Sequence, residues 1–170
     1  MTVSLILKKA IVCQPVNFID GDTLGLTNQN GQYFTSRARW IDSPETRKGN
    51  ESQDSRLLKH WEYGAKSKSF LGQLIGLQKI IVIPYELDQY NRWVCDWYLA
   101  DKQNIQVKLC VTGMAIASPF FQTPNSYDLS ASEISLYSAI LNATVQARLK
   151  RTGVWEQTDF LLPYEVKKAV

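Results

Sequence analysis

Tight-turn signals between runs of strand-forming residues constrain this chain more than any other feature. Asp20-Gly21 and Asn30-Gly31 each separate two such runs, and Asp88 to Asn91 separates another pair. Ala10 to Ile19 is apolar and broken by Pro15, which suits an edge position or a bulge. Thr23 to Leu26 opens the second strand. The third alternates, with Phe34, Ser36, Ala38 and Trp40 on one side and Thr35, Arg37 and Arg39 on the other. Arg37 and Arg39 therefore share a face, and alternation alone does not choose between them. Lys79 to Tyr85 and Arg92 to Leu99 form a fourth and a fifth strand. In the fifth, Trp93, Cys95, Trp97 and Leu99 make the core face, and Arg92 points away from it.

Helical signals follow the third and fifth strands. Thr46 to His60 is polar, charged and aperiodic, and reads as a long loop, either functional or disordered, with His60 as a solvated residue. From Glu62 a helix carries Tyr63, Phe70, Leu74 and Leu77 on one stripe. Ile105 to Thr112 is a short helix stopped by Gly113. A capping box at Ser130 to Glu133 opens a long helix with Ile134, Tyr137, Leu141 and Leu149, which ends at Gly153. Trp155 is expected to return to the core. The class is α+β: a five-stranded OB-type β-barrel with three helices. One domain is expected over 1–170, with a core from about 10 to 155 and a tail, 156–170, that contains Phe160-Leu-Leu162 and receives no assignment.

Composition narrows the chemistry mainly by exclusion. Cys13, Cys95 and Cys110 are odd in number, far apart and set in apolar runs, so they read as reduced core thiols; with one histidine, a zinc site lacks its usual ligands. No stretch approaches the length of a membrane span. A net charge of +3 is too small to argue nucleic-acid binding by itself. Local clusters carry more weight. Arg148, Lys150 and Arg151 suit a cationic helix C-terminus. Arg47, Lys48, Arg56, Lys59, Lys66 and Lys68 are either a solvated face or the path of a phosphate backbone.

Three segments concentrate chemically useful side chains at strand ends and turns: Phe18-Ile-Asp-Gly-Asp-Thr-Leu-Gly25, Arg37-Ala-Arg-Trp-Ile-Asp-Ser-Pro-Glu45 and Asp88-Gln-Tyr-Asn-Arg92. Asp22, Asp42 and Glu45 supply carboxylates, and Arg37 and Arg92 supply guanidiniums. Such a set suits phosphodiester hydrolysis with a hard metal ion. Carboxylate oxygens hold the ion, another carboxylate orients or deprotonates water, and paired guanidiniums match charge growing on the phosphoryl oxygens. Asp20 reads as a turn residue, and Asp96 as a structural partner rather than a third ligand.

In order and spacing these segments resemble the staphylococcal nuclease (thermonuclease) family. Tyr63-Gly64 with Ala65 and Phe70, Gly113-Met-Ala115 and Gly153-Val-Trp155 agree with the same pattern, so the resemblance runs from about Ile11 to Trp155. It implies calcium held by Asp22, Asp42 and the carbonyl of Ser43 with waters. It further implies Glu45 as general base or water-positioning residue, Arg37 and Arg92 as a clamp on the scissile phosphate, and Tyr90 beside the nucleotide. The implied activity is calcium-dependent hydrolysis of DNA and RNA, with the 5′-oxygen leaving. The alternative is a non-catalytic OB module that binds nucleic acid or protein.

Three positions depart from that pattern. Gln89 stands where a lysine would meet a terminal phosphate, and Pro119 and Phe121 replace two tyrosines beside the base. Phe121, next to Phe120, retains a ring that can stack on a base. Lys66 and Lys68 remain available to internal phosphates, so internal cleavage is expected to dominate. The partners expected are DNA or RNA substrate, with no membrane and no obligate protein partner. The start of the chain places its lysines after the apolar run, the reverse of a signal peptide, so a cytoplasmic location is expected, or secretion if a leader had been removed.

Overall fold

A computed structural model describes residues 3–47, 49, 52–118 and 129–169, the side chains of 167–169 excepted. Its centre is a closed barrel. The strands are β1 (Ile11–Asp20), β2 (Thr23–Thr27), β3 (Tyr33–Ala38), β5 (Ile80–Leu87) and β6 (Trp93–Tyr98), in the order β1-β2-β3-β6-β5. All neighbouring pairs are antiparallel except β3 with β6, which is parallel. Closure leaves no edge strand in the barrel. Register shifts follow Pro15 in β1 and Pro84 in β5, where a missing N–H cannot continue the ladder.

Leu24, Leu26, Phe34, Ala38, Ile80, Val82, Cys95 and Trp97 fill the interior. β6 is covered on both faces, since Val94 and Asp96 are buried as well. Burial pushes all three thiols up to about 12, which keeps them protonated and chemically quiet at neutral pH.

Two further short strands, β4 (Ile41–Asp42) and β7 (Ile116–Ala117), pair beside the barrel, with Asp42 opposite Ile116. Among the described residues the helices are α1 (Ser55–Ile75), α2 (Ile105–Val111), α3 (Ala131–Leu149) and a short α4 (Pro163–Ala169), so one more than the three expected. Asn104 caps α2, and Ser130 and Glu133 close the capping box of α3.

α1 corrects the expected loop. It begins at Ser55 with Asp54 as its cap, seven residues before Glu62. His60 is therefore helical and fully buried, not a solvated loop residue. The first turns lack long apolar side chains on the inner face because His60 and Gly64 occupy it, and that hides the helical period. Leu77 also departs from expectation, since the helix ends at Ile75 and leaves it 97 % exposed.

In α3 the buried residues are Glu133, Ile140, Ala143 and Ala147, whereas Ile134, Leu141 and Leu149 face outward. Close packing on α2 selects small alanines over the larger side chains a hydrophobic stripe would choose. A second, smaller core joins Tyr63, Ile116 and Val154 to Trp155, Phe160 and Leu162, so the tail docks on α1.

Candidate active site

The site lies at one rim of the barrel, where the β1–β2 turn, the end of β3, β4 and the segment after it meet the first half of α1. Register assembles its charged centre. Thr23 pairs with Arg37 across β2 and β3, and the backbone N–H of Ala38 donates to the carbonyl of Asp22 at 2.8 Å. Asp42 arrives from β4, held by the β7 ladder. The guanidinium of Arg37 then forks between the two carboxylates, 3.1 Å to Asp22 Oδ1 and 2.9 Å to Asp42 Oδ1. Asp22 also accepts from the Thr23 hydroxyl at 2.9 Å and, through Oδ2, from the backbone N–H of Ser43 at 2.9 Å.

Burial by itself would lower the pKa of Arg37. The charges of Asp22 and Asp42, the hydrogen bond to Asp42 and the charge of Glu45 hold it above the usual arginine value instead. Glu45 is thus close enough for its charge to act on Arg37. Asp20 belongs to the same rim and is more than a turn residue, since it accepts a hydrogen bond from the Thr46 hydroxyl. Asp22, Asp42 and Glu45 all act on one guanidinium, which leaves surplus negative charge in a largely buried place. An all-oxygen, anionic donor set of this kind suits a hard cation. Among the described residues no group of three or more His, Cys, Asp or Glu is placed to hold a metal ion by itself.

Two close approaches shape the rim. A Cβ on Gly21 would strike the side chain of Ser67 in α1, whose hydroxyl donates to the Met114 carbonyl at 2.7 Å. A Cβ on Gly64 would strike the carbonyl of Glu45. Glycine at both positions lets α1 lie directly on the site.

Arg39 separates from Arg37 completely. β3 ends at Ala38 and the chain turns through Trp40 at φ 65°, which breaks the alternation. Arg39 is buried between the rings of Tyr85 and Trp40, forks onto Asp96 at 3.1 and 2.8 Å and reaches Glu133 at 2.9 Å. Asp96 is accordingly a structural partner, of Arg39.

The remaining expected site residues lie apart from this cluster. Arg92 donates to Asp88 at 2.8 Å within the β5–β6 turn, 5.1 Å from the ring of exposed Tyr90. One step ahead of β6, it is two residues before Val94, which pairs with Arg37. That spacing puts the two arginines on the same barrel face with Cα atoms roughly 8 Å apart. Lys66 pairs with Glu62 at 2.6 Å along α1. Lys68 is next to Ser67 and half-buried. Phe121, Phe120, Pro119 and Lys48 lie outside the described residues.

A family model described as staphylococcal nuclease homologue matches residues 36–157. The chain belongs to this family. The matched span takes in Arg37, Asp42, Ser43, Glu45 and Arg92 together with α1, α2 and α3. Asp22, with β1 and β2, precedes it, so the place of Asp22 in the site rests on its own contacts with Arg37 and Ser43. A comparison with curated proteins found no match. Among the described residues, no helix is long and apolar enough to cross a membrane.

His60 gave no sequence signal beyond being the single histidine. The same holds for the Asp20–Thr46 tie, because side-chain bonds between distant segments leave no local pattern.

Proposed function

We propose that the chain is a calcium-dependent nuclease that hydrolyses phosphodiester bonds of DNA and RNA, mainly at internal positions. The observation that carries this reading is Arg37 bridging Asp22 and Asp42 beside Glu45. It combines surplus negative charge for a cation with a guanidinium fork for a phosphate. Asp22, Asp42 and the Ser43 carbonyl would hold calcium. Calcium, when bound, supplies positive charge for a phosphoryl oxygen and makes a coordinated water more acidic.

The protein's own groups account for the rest. Arg37 uses two of its five N–H donors on carboxylates, and its remaining donors together with those of Arg92 are offered to the equatorial phosphoryl oxygens as their charge grows. Glu45 orients the attacking water and accepts its proton. General base assistance of this sort is worth about 10²–10⁴-fold. Water attacks phosphorus in line, the bond to the 5′-oxygen breaks, and the products carry a 3′-phosphate and a 5′-hydroxyl. Tyr90, Lys66, Lys68 and Phe121 are proposed to contact the substrate away from the scissile bond.

The competing reading is a non-catalytic OB module. It is favoured by one observation, that both guanidiniums are paired with carboxylates and Arg92 stays on its own turn. Incubating the purified protein with plasmid and single-stranded DNA, first with calcium and then with excess chelator, separates the two. The nuclease reading expects cleavage abolished by chelation. Binding without cleavage would favour the module, and cleavage undiminished by chelator would remove the calcium assignment.

A further inference from the structure

We propose that His60 is a positioning residue for Glu45, a strut through which the C-terminal segment holds the site. This rests on the reading that Glu45 acts on the attacking water. Nε2 of His60 accepts from the backbone N–H of Glu45 at 2.8 Å, and Nδ1 lies 2.9 Å from the carbonyl of Leu161. A backbone N–H can only donate and a carbonyl can only accept. The ring therefore carries its proton on Nδ1 and bridges the two segments as one neutral tautomer.

Neighbouring contacts fix that ring. Phe160 stacks on it with centroids 5.5 Å apart and planes 21° from parallel, and Phe160 also meets Tyr63 edge-on. The Tyr63 hydroxyl donates to Glu156 at 3.2 Å, and Lys59 pairs with Asp159 at 3.2 Å. α1 thus grips Glu45 at both ends of its backbone, the N–H through His60 and the carbonyl against Gly64. The carboxylate projects from a peptide held at two points, and one of them is set by residues more than a hundred positions away.

Two substitutions divide the bridge. His60→Asn places an amide nitrogen near Nδ1 and keeps a donor for Leu161, but nothing reaches Glu45. His60→Gln places an oxygen near Nε2 that accepts from Glu45 and gives up Leu161. His60→Asn should lower kcat about tenfold or more with KM changed less than about twofold. Amide hydrogen exchange at Glu45 should quicken about tenfold in the same variant. His60→Gln should stay within about threefold of the unsubstituted protein in kcat and keep the Glu45 amide protected.

Should His60→Asn not fold, Phe160→Ala removes the stacked ring without touching Glu45, and is expected to lower kcat and quicken the same exchange. Equal losses in His60→Asn and His60→Gln, or an unchanged Glu45 amide in His60→Asn, would overturn the proposal. If the unsubstituted protein cleaves nothing, the nuclease reading fails, and the exchange measurement decides the strut by itself.

Discussion

Two arginines one alternation apart have unlike roles because they differ in their own burial. Arg37 is one-fifth exposed and faces the site, whereas Arg39 is enclosed by two rings and two carboxylates. Arg37→Lys keeps the charge and loses the fork, so nuclease activity should fall by most of its value with little change in unfolding midpoint. Arg39→Met leaves Asp96 buried without its guanidinium and takes one of two cations from Glu133, and should cost about 3–5 kcal/mol in urea unfolding while activity per folded molecule is retained. The assignment of the clamp fails if Arg39→Lys impairs catalysis as much as Arg37→Lys. Glu45→Gln is nearly isosteric. It should reduce kcat by about 10²–10⁴-fold with KM little affected, as measured by steady-state cleavage of an oligonucleotide.

At the scale of elements, α1 acts as the lever that positions the rim. Its inner face presents His60, Tyr63, Gly64, Ser67, Leu71 and Ile75 in turn, so the same helix touches the site at one end and the barrel core at the other. Gly64→Ala adds a methyl against the Glu45 carbonyl. It should destabilise by about 1–3 kcal/mol, as overpacking does, and should lower activity beyond what the loss of folded protein explains. Thermal unfolding and cleavage measured on the same sample check it. The β4–β7 ladder is two residues long on each side and pairs Asp42 with Ile116. Residues 114–117 thereby contribute to the site through their backbone, by this pairing and by the Met114 carbonyl that accepts from Ser67.

Across the whole molecule, stability at low pH depends on a network that joins the N-terminal segment, the barrel and α3. Burial alone would raise the pKa of Glu133, but hydrogen bonds from the Ser130 backbone and hydroxyl, from Arg39 and from Lys8 draw it down from 4.5 to about 2. A depressed carboxyl pKa means stability fully present above 4.5 and lost as pH falls towards 2. Asp96 has the opposite sign, because burial outweighs the Arg39 charge and raises it. Glu133→Gln should therefore flatten the fall in stability between these two pH values, read from urea midpoints across a pH series. On nucleic acid, the lack of a lysine at Gln89 and of phenols at Pro119 and Phe121 should make internal cuts precede release of mononucleotides. A gel time course checks the order, and binding should weaken steeply with added salt.

Local patterns alone settled the five barrel strands, the turn at Asp20-Gly21, the stop of α2 at Gly113, the capping box of α3, the buried cysteines and the family. Each is written in neighbouring residues, by alternation, by turn chemistry or by a spaced motif. The choice of Arg37 over Arg39 was legible only through the motif. Its physical basis is the break at Trp40, which no alternation rule contains. The start of α1, the outward side chains of α3 and the bridge from Leu161 through His60 to Glu45 were decided by tertiary structure. In each of these a residue answers to a partner far along the chain: a glycine to a carbonyl it must admit, an alanine to a helix it must approach, a histidine to two backbone groups that folding brings within reach of one ring.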